Sequence, residues 1–188
     1  MSSQGELYIV TPRTCIVRTP TEVIARRLEV DDFFADLDLG PGAESDGGDR
    51  VASVHFAPEW PGDALVGFAG WLARRRAADP EPWVGTVVDR ATLEAVGQMG
   101  CLALPDAAGV VEVRYATNAG QRDRGLATEA GGAFVDWLLR RAEVEVVVAE
   151  CQVTNAASVR VLEKVGFGLV EEREDEEGRL LRWEKRRG

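Results

Sequence analysis

The sequence predicts a mixed α/β fold: antiparallel strands first, then one βαβ crossover, then a closing hairpin. Three observations carry that reading. Val110 to Ala116 is an apolar strand that passes through a polar turn into a helix opening with Gly125, Leu126 and Ala127. Val144 to Cys151 holds the unbroken run Val146-Val-Val-Ala149, which suits a central strand covered on both faces. Turn residues at Asp89-Arg-Ala-Thr92 and Asp175-Glu-Glu-Gly178 each separate two strand-like runs.

Taken in order, Leu7 to Val10 and Cys15 to Arg18 are β-like runs punctuated by Thr-Pro pairs, and one or two edge strands are expected here. A short helix is expected near Asp31 to Leu37, capped by Asp31 or Asp32, with Phe33, Phe34 and Leu37 on its apolar side. Gly40 to Arg50 is a loop by composition. A second helix spans Ala64 to Ala78, with Leu65, Phe68, Ala69 and Leu72 facing the core and Arg74 to Arg76 at its C-terminal end, where cations suit the dipole. Trp83 to Val88 and Leu93 to Leu104 form a hairpin.

The helix after Gly125 carries Leu126, Ala130, Phe134 and Leu138 on one stripe. Gly131 and Gly132 inside it imply close backbone approach to a sheet, since each costs about 1 kcal/mol relative to alanine. Asn155 is placed to cap a further helix with Val159, Leu162 and Val165 buried; Gly166 ends it and Phe167 returns to pack.

With 188 residues the chain fits one domain, long enough to bury roughly 70% of its unfolded surface. Apolar content of 45% and charged content of 29% are those of a soluble globular protein, and no apolar run nears the ~20 residues that span a bilayer. The N-terminal residues lack a signal-peptide pattern, so the expected compartment is the cytoplasm. Cys15, Cys101 and Cys151 are odd in number and far apart, which argues against a disulfide framework and structural zinc. His55 is the sole histidine, which nearly excludes a Ser-His-Asp triad or a multi-histidine metal site, and it reads as structural or exposed. No metal is expected. A net charge of −10 repels nucleic acid and anionic lipid and favours a cationic partner such as an amine.

The turn from strand to helix at Arg122-Asp-Arg-Gly125 is an anion site in outline. The first N–H groups of a helix lack intrahelical partners, and the peptide dipoles place about half a positive charge there. Arg122 and Arg124 add charge, and Asp123 subtracts some. Neither a P-loop nor a Gly-x-Gly-x-x-Gly fingerprint is present.

Arg122-Asp-Arg-Gly125-Leu-Ala127 resembles the Gln/Arg-x-x-Gly-x-Gly/Ala signature of the GCN5-related N-acetyltransferase (GNAT) superfamily. Asn155-Ala-Ala-Ser158 followed by Leu162-Glu-Lys-Val-Gly166-Phe167 resembles its second block. Tyr115, Ala127 to Ala130 and Asn-x-x-Ser resemble the RimJ/RimL-like branch, the ribosomal-protein N-terminal acetyltransferases. The resemblance covers residues 83 to 186; 21 to 82 match less closely, and 1 to 20 stand as an unplaced N-terminal extension to a single domain.

That resemblance implies a central, mostly antiparallel twisted sheet with helices on both faces. It also implies acetyl-CoA as cosubstrate, in a V-shaped gap between the strands ending near Thr117 and Cys151. The pyrophosphate would meet the backbone of Arg122, Asp123, Arg124, Gly125, Leu126, Ala127 and Thr128. The pantetheine arm would pair along Val113, Arg114, Tyr115 and Ala116, and Asn155 and Ser158 would complete the site.

The expected activity is N-acetyl transfer from acetyl-CoA to a primary amine, either a protein N-terminus or a small molecule, by a monomer or homodimer. The alternatives are a non-catalytic acyl-CoA-binding module and a general phosphate- or nucleotide-binding protein. Glu112 is the candidate base through water, although it also has an ion-pair partner in Arg114 on the same strand face. Glu150 is the second candidate. The tyrosine that many members carry ahead of the Gly-Phe pair is missing, so Ser158 is the candidate proton donor to the thiolate, with Tyr115 as alternative. A backbone N–H near Arg114 is expected to hold the oxyanion. Phe33, Phe34, Trp60 and Trp71 are the candidate walls of the acceptor side.

Overall fold

The computed structural model describes residues 7–40, 51–77, 82–175 and 178–188. The chain opens with a hairpin of β1 (Tyr8–Val10) and β2 (Thr14–Arg18) and continues into α1 (Thr21–Arg27). Then come β3 (Phe33–Asp38), β4 (Val51–Phe56), a 3-10 turn (Gly62–Gly67) and α2 (Phe68–Ala77). The hairpin of β5 (Val84–Asp89) and β6 (Glu94–Cys101) leads to β7 (Val110–Thr117), α3 (Leu126–Leu139) and β8 (Val146–Gln152). The chain ends with α4 (Ala156–Val165), β9 (Gly168–Asp175) and β10 (Gly178–Arg186).

The described strands lie in one sheet in the order β1-β2-β5-β6-β7-β8-β10-β9, with β3 paired to β4 and β4 meeting β6. Pairing is antiparallel except between β7 and β8 and at the single parallel His55–Glu94 bridge. Helices cover both faces, as neighbouring strand residues show. Ile16 and Val87 point into the core under α3 and α4, while Cys15, Val17 and Val88 point into the core shared with α1 and α2. Phe56, Trp60 and Phe68 anchor the second core, Trp60 edge-on to both rings at 4.7 and 5.4 Å.

Several expectations are corrected. Residues 33 to 38 form a strand, not a helix. Phe33 and Leu37 are buried while Phe34, Asp36 and Asp38 are exposed, so the period is two. Asp31 and Asp32 cap nothing: Asp31 pairs with Arg27 at 2.6 Å and Asp32 with His55 at 2.8 Å. The helix of this region is α1, whose buried Arg27 donates to the Trp60 and Pro58 carbonyls at 2.6 and 3.0 Å. β4 was not foreseen, and β2 is an interior strand flanked by β1 and β5.

The second helix begins at Phe68 after the 3-10 turn, and Ala69 is exposed. Gly131 and Gly132 do not approach the sheet. An added Cβ at Gly131 would meet nothing within 4 Å, and at Gly132 only Val165 of α4 at 4.0 Å. The Gly40 to Arg50 loop beyond Gly40, the Arg74 to Arg76 side chains and Glu176-Glu177 lie outside the described residues.

Candidate active site

The β7–β8 ladder pairs Val110 with Val146, Val111 with Val147 and Glu112 with Val148, and then stops. Beyond it β7 runs on to Thr117 beside β6, and β8 runs on to Gln152 beside β10. The two strands therefore part into a V. The Leu102 N–H donates to the Glu112 carbonyl at 3.1 Å, and the Asn118 N–H to that of Val96 at 3.0 Å. Even-numbered residues of β7 thus turn their backbone to β6. Alternation turns the backbone of Val113 and Tyr115 into the V, where an extended ligand arm can pair.

The turn after β7 is shaped by one buried and one exposed hydrogen bond. Asn118, 1% exposed, donates from Nδ2 to the Ala95 carbonyl at 2.8 Å, and the Gly120 N–H donates to Glu59 Oε2 at 2.8 Å. Asp123 and Gly125 then adopt left-handed φ values of 60° and 76°, which glycine takes freely and aspartate tolerates. This bends the chain so that α3 starts with its N-terminus at the mouth of the V. The site is thus a ready cradle for an anion.

A cleft of about 350 Å³ follows the V. Among the expected cofactor residues, Tyr115, Arg122, Asp123 and Gly125 line it, as do Leu126, Ala127, Thr128, Asn155 and Ser158. Val113, Arg114, Arg124 and Glu112 do not. Val113 is buried, the Arg124 guanidinium bonds Gln121 Oε1, and Arg114 faces a second cleft. Not foreseen were Asp63, Gln121, and Ala157, Arg160, Val161 and Lys164 of α4. The α4 set had a signal, since spacings of three and four place those residues on one helical face. Asp63 had none: it comes from before α2 and pairs with Arg122 at 3.2 Å.

Asn155 caps α4, its Oδ1 accepting from the Ser158 N–H at 3.1 Å. The Tyr115 hydroxyl donates to the Ser158 carbonyl at 3.4 Å. Burial pushes the Tyr115 phenol up to about 12, against a smaller lowering by the Ser158 hydrogen bond. The phenol therefore keeps its proton throughout the physiological range.

Glu112, half-buried, accepts from Arg114 Nη2 at 3.0 Å and Nε at 3.2 Å. Glu150 accepts from both Arg173 at 3.0 Å and Arg182 at 3.1 Å, so each of its oxygens is engaged.

A second cleft of about 420 Å³ adjoins the first and shares Asp63, Tyr115 and Ala116 with it. Its apolar lining includes Trp71, Met99 and Leu102, with Arg114 as a cation. Of the four aromatics expected to wall the acceptor side, only Trp71 lines it. Phe33 and Trp60 are core residues, and exposed Phe34 stacks on His55 at 4.7 Å. Among the described residues no cluster of three or more His, Cys, Asp or Glu side chains is placed to hold a metal ion. No described helix is long and apolar enough to cross a membrane.

Residues 49–168 match the family model described as the acetyltransferase (GNAT) domain. An uncharacterized N-acetyltransferase of Bacillus subtilis, YjdG, is 33% identical over 116 residues, covering 59% of this chain and 68% of its own length. Among solved structures, RimL, the ribosomal L7/L12 α-N-protein acetyltransferase in complex with coenzyme A, superposes with a TM-score of 0.66 at 11% identity. That match covers 95% of this chain and 97% of RimL. The ribosomal-protein-S5-alanine acetyltransferase of Vibrio fischeri gives 0.64 at 12% identity, covering 97% of each chain. These two likenesses are of fold. The family match and the sequence relative go further: the chain belongs to the GNAT family and is an acetyl-CoA-dependent N-acetyltransferase.

Proposed function

We propose that the chain moves the acetyl group of acetyl-CoA onto a primary amine, a protein N-terminus or a small molecule, by direct attack on the thioester. The observation that carries this reading is the meeting of the two clefts at Tyr115 and Ala116. A thioester lying along the V from the first cleft and an amine entering from the second would come face to face there. Holding both reactants in one geometry is a large part of such catalysis.

In the reaction the amine nitrogen bonds the acetyl carbon, the C–S bond breaks, the amine gives up a proton and the CoA thiolate takes one. Glu112 receives the amine proton through water, beside its ion pair with Arg114. Glu150, with both oxygens held by arginines, is the weaker candidate. The Ser158 hydroxyl gives the thiolate its proton, with the neutral Tyr115 phenol as second donor. A backbone N–H near Arg114 supports the oxyanion. The resemblance of Tyr115, Ala127 to Ala130 and the Asn155-x-x-Ser158 block to the RimJ/RimL-like branch supports a protein N-terminus as acceptor.

The test is an acetylation screen of small amines beside peptides with varied N-termini, following release of the CoA thiol. Transfer to one group identifies the acceptor class, and transfer to neither would refute these two classes of primary amine as the acceptor. For the base, Glu112→Gln lowers kcat and spares CoA affinity; an unchanged kcat across the pH range would move the base elsewhere.

A further inference from the structure

The β1–β2 turn, part of the extension that the motifs left unplaced, reaches the cofactor cradle. Thr11 and Thr14 tighten it, their hydroxyls 2.7 Å apart. Glu129, in the first turn of α3, takes three hydrogen bonds from it. Oε1 accepts from the Thr11 hydroxyl at 2.6 Å and the Arg13 N–H at 2.9 Å, and Oε2 accepts from Arg13 Nε at 2.6 Å. The same guanidinium donates from Nη1 to the Arg124 carbonyl at 2.9 Å. Its Nη2 lies 3.5 Å from where a Gly125 side chain would begin. Arg13 and Glu129 do not line the cofactor cleft, so they act on the loop from behind.

We infer that Arg13 is a positioning residue for the pyrophosphate of acetyl-CoA, an inference that rests on the cofactor reading above. Two physical effects produce it. In a trans peptide the carbonyl and the next N–H point in opposite directions. Arg13 draws the Arg124 carbonyl to the rear of the loop, so the Gly125 N–H is turned forward to the cleft. This matters because the loop carries two left-handed residues, Asp123 and Gly125, and is not a conformation the chain adopts by default. Second, Glu129 would otherwise set an unbalanced negative charge in the helix turn that receives a phosphate. The Arg13 guanidinium cancels it through a charge-assisted contact. The N-terminal hairpin is thereby a third component of the cofactor site, beside the β7–α3 turn and α4.

The test measures CoA binding by calorimetry for the wild-type chain and for R13A, R13K and R13A/E129Q. Turnover of acetyl-pantetheine, which has the thioester but no diphosphate, runs in parallel. R13A weakens CoA about tenfold, the scale of a lost hydrogen bond to a charged group, while kcat/KM for acetyl-pantetheine stays at the wild-type value. R13K keeps the charge but cannot span both acceptors, and falls between the two. R13A/E129Q recovers part of the loss by removing the uncompensated carboxylate. Wild-type CoA affinity in R13A would overturn the inference, as would equal losses on CoA and acetyl-pantetheine. Should R13A fail to fold, R13K decides: wild-type CoA affinity there overturns the inference and a selective loss supports it. A wild-type chain that bound no CoA would instead overturn the cofactor reading itself.

Discussion

Asn155 offers a substitution in which helix capping and ligand contact are separable. Its Oδ1 accepts the Ser158 N–H at 3.1 Å and so satisfies one of the unpaired donors at the start of α4, and the residue also lines the first cleft. Asn155→Ala removes the cap, a loss of about 1 kcal/mol. In a chain of this length that lowers Tm by roughly 2–4 °C. Asn155→Asp keeps an acceptor oxygen and adds a charge favourable to the helix dipole, so Tm holds or rises slightly. Asn155→Asp also deletes the amide N–H donors and brings a negative charge to an anionic ligand. If Asn155 contacts the cofactor arm, both variants weaken CoA binding and only the alanine variant loses stability. Thermal melts with calorimetric CoA titration of the three proteins read both quantities. Wild-type CoA affinity in Asn155→Asp would refute the ligand contact and leave Asn155 a cap alone.

Three further outcomes are expected. Gly125→Glu abolishes CoA binding in a titration, since it forces a side chain into a φ of 76° and adds negative charge beside the cradle; retained affinity would remove the loop from the site. Tyr115, raised to about 12 from its ordinary value near 10, binds its proton more tightly folded than unfolded. Its contribution of about 2–3 kcal/mol is therefore present below pH ~10 and lost as pH rises from there through 12. Denaturant melts of Tyr115→Phe against wild type, with a flattened alkaline limb in the variant, check this. Gly132→Ala stabilises α3 by about 0.5–1 kcal/mol, because the new Cβ meets only Val165 at 4.0 Å; a lower Tm would show that the glycine serves a contact the structure does not hold.

The elements legible in the sequence were those whose ends are marked by local chemistry. α4 has Asn155 at its start and Gly166, with φ of 88°, at its end, and both act as their types predict. β8 followed from its valines, and the turn into α3 from Gly125. The segment at 33 to 38 misled because two adjacent phenylalanines suit a helix stripe. The strand alternation lay in Phe33, Ala35 and Leu37, and was decided by pairing with β4, whose partners no local signal names. α1 was hidden for a related reason, since it has no side-chain cap and buries an arginine. Within the site, motif positions reached the cleft well. The pieces that come from a distance were silent: Asp63 beside Arg122, and Arg13 beside Glu129, join parts of the chain that only the fold brings together.

Past Glu112 and Val148 the sheet is two edges facing each other without a common ladder. A pantetheine arm bonded to both edges, as proposed above, would stand in for the missing strand and make the sheet continuous only in the occupied protein. Ligand occupancy then acts as a folding contribution, raising stability by mass action. It should slow amide exchange along β7 and β8 together. On that reading each release of CoA would withdraw a borrowed strand, and the stability of the enzyme would rise and fall with every catalytic cycle.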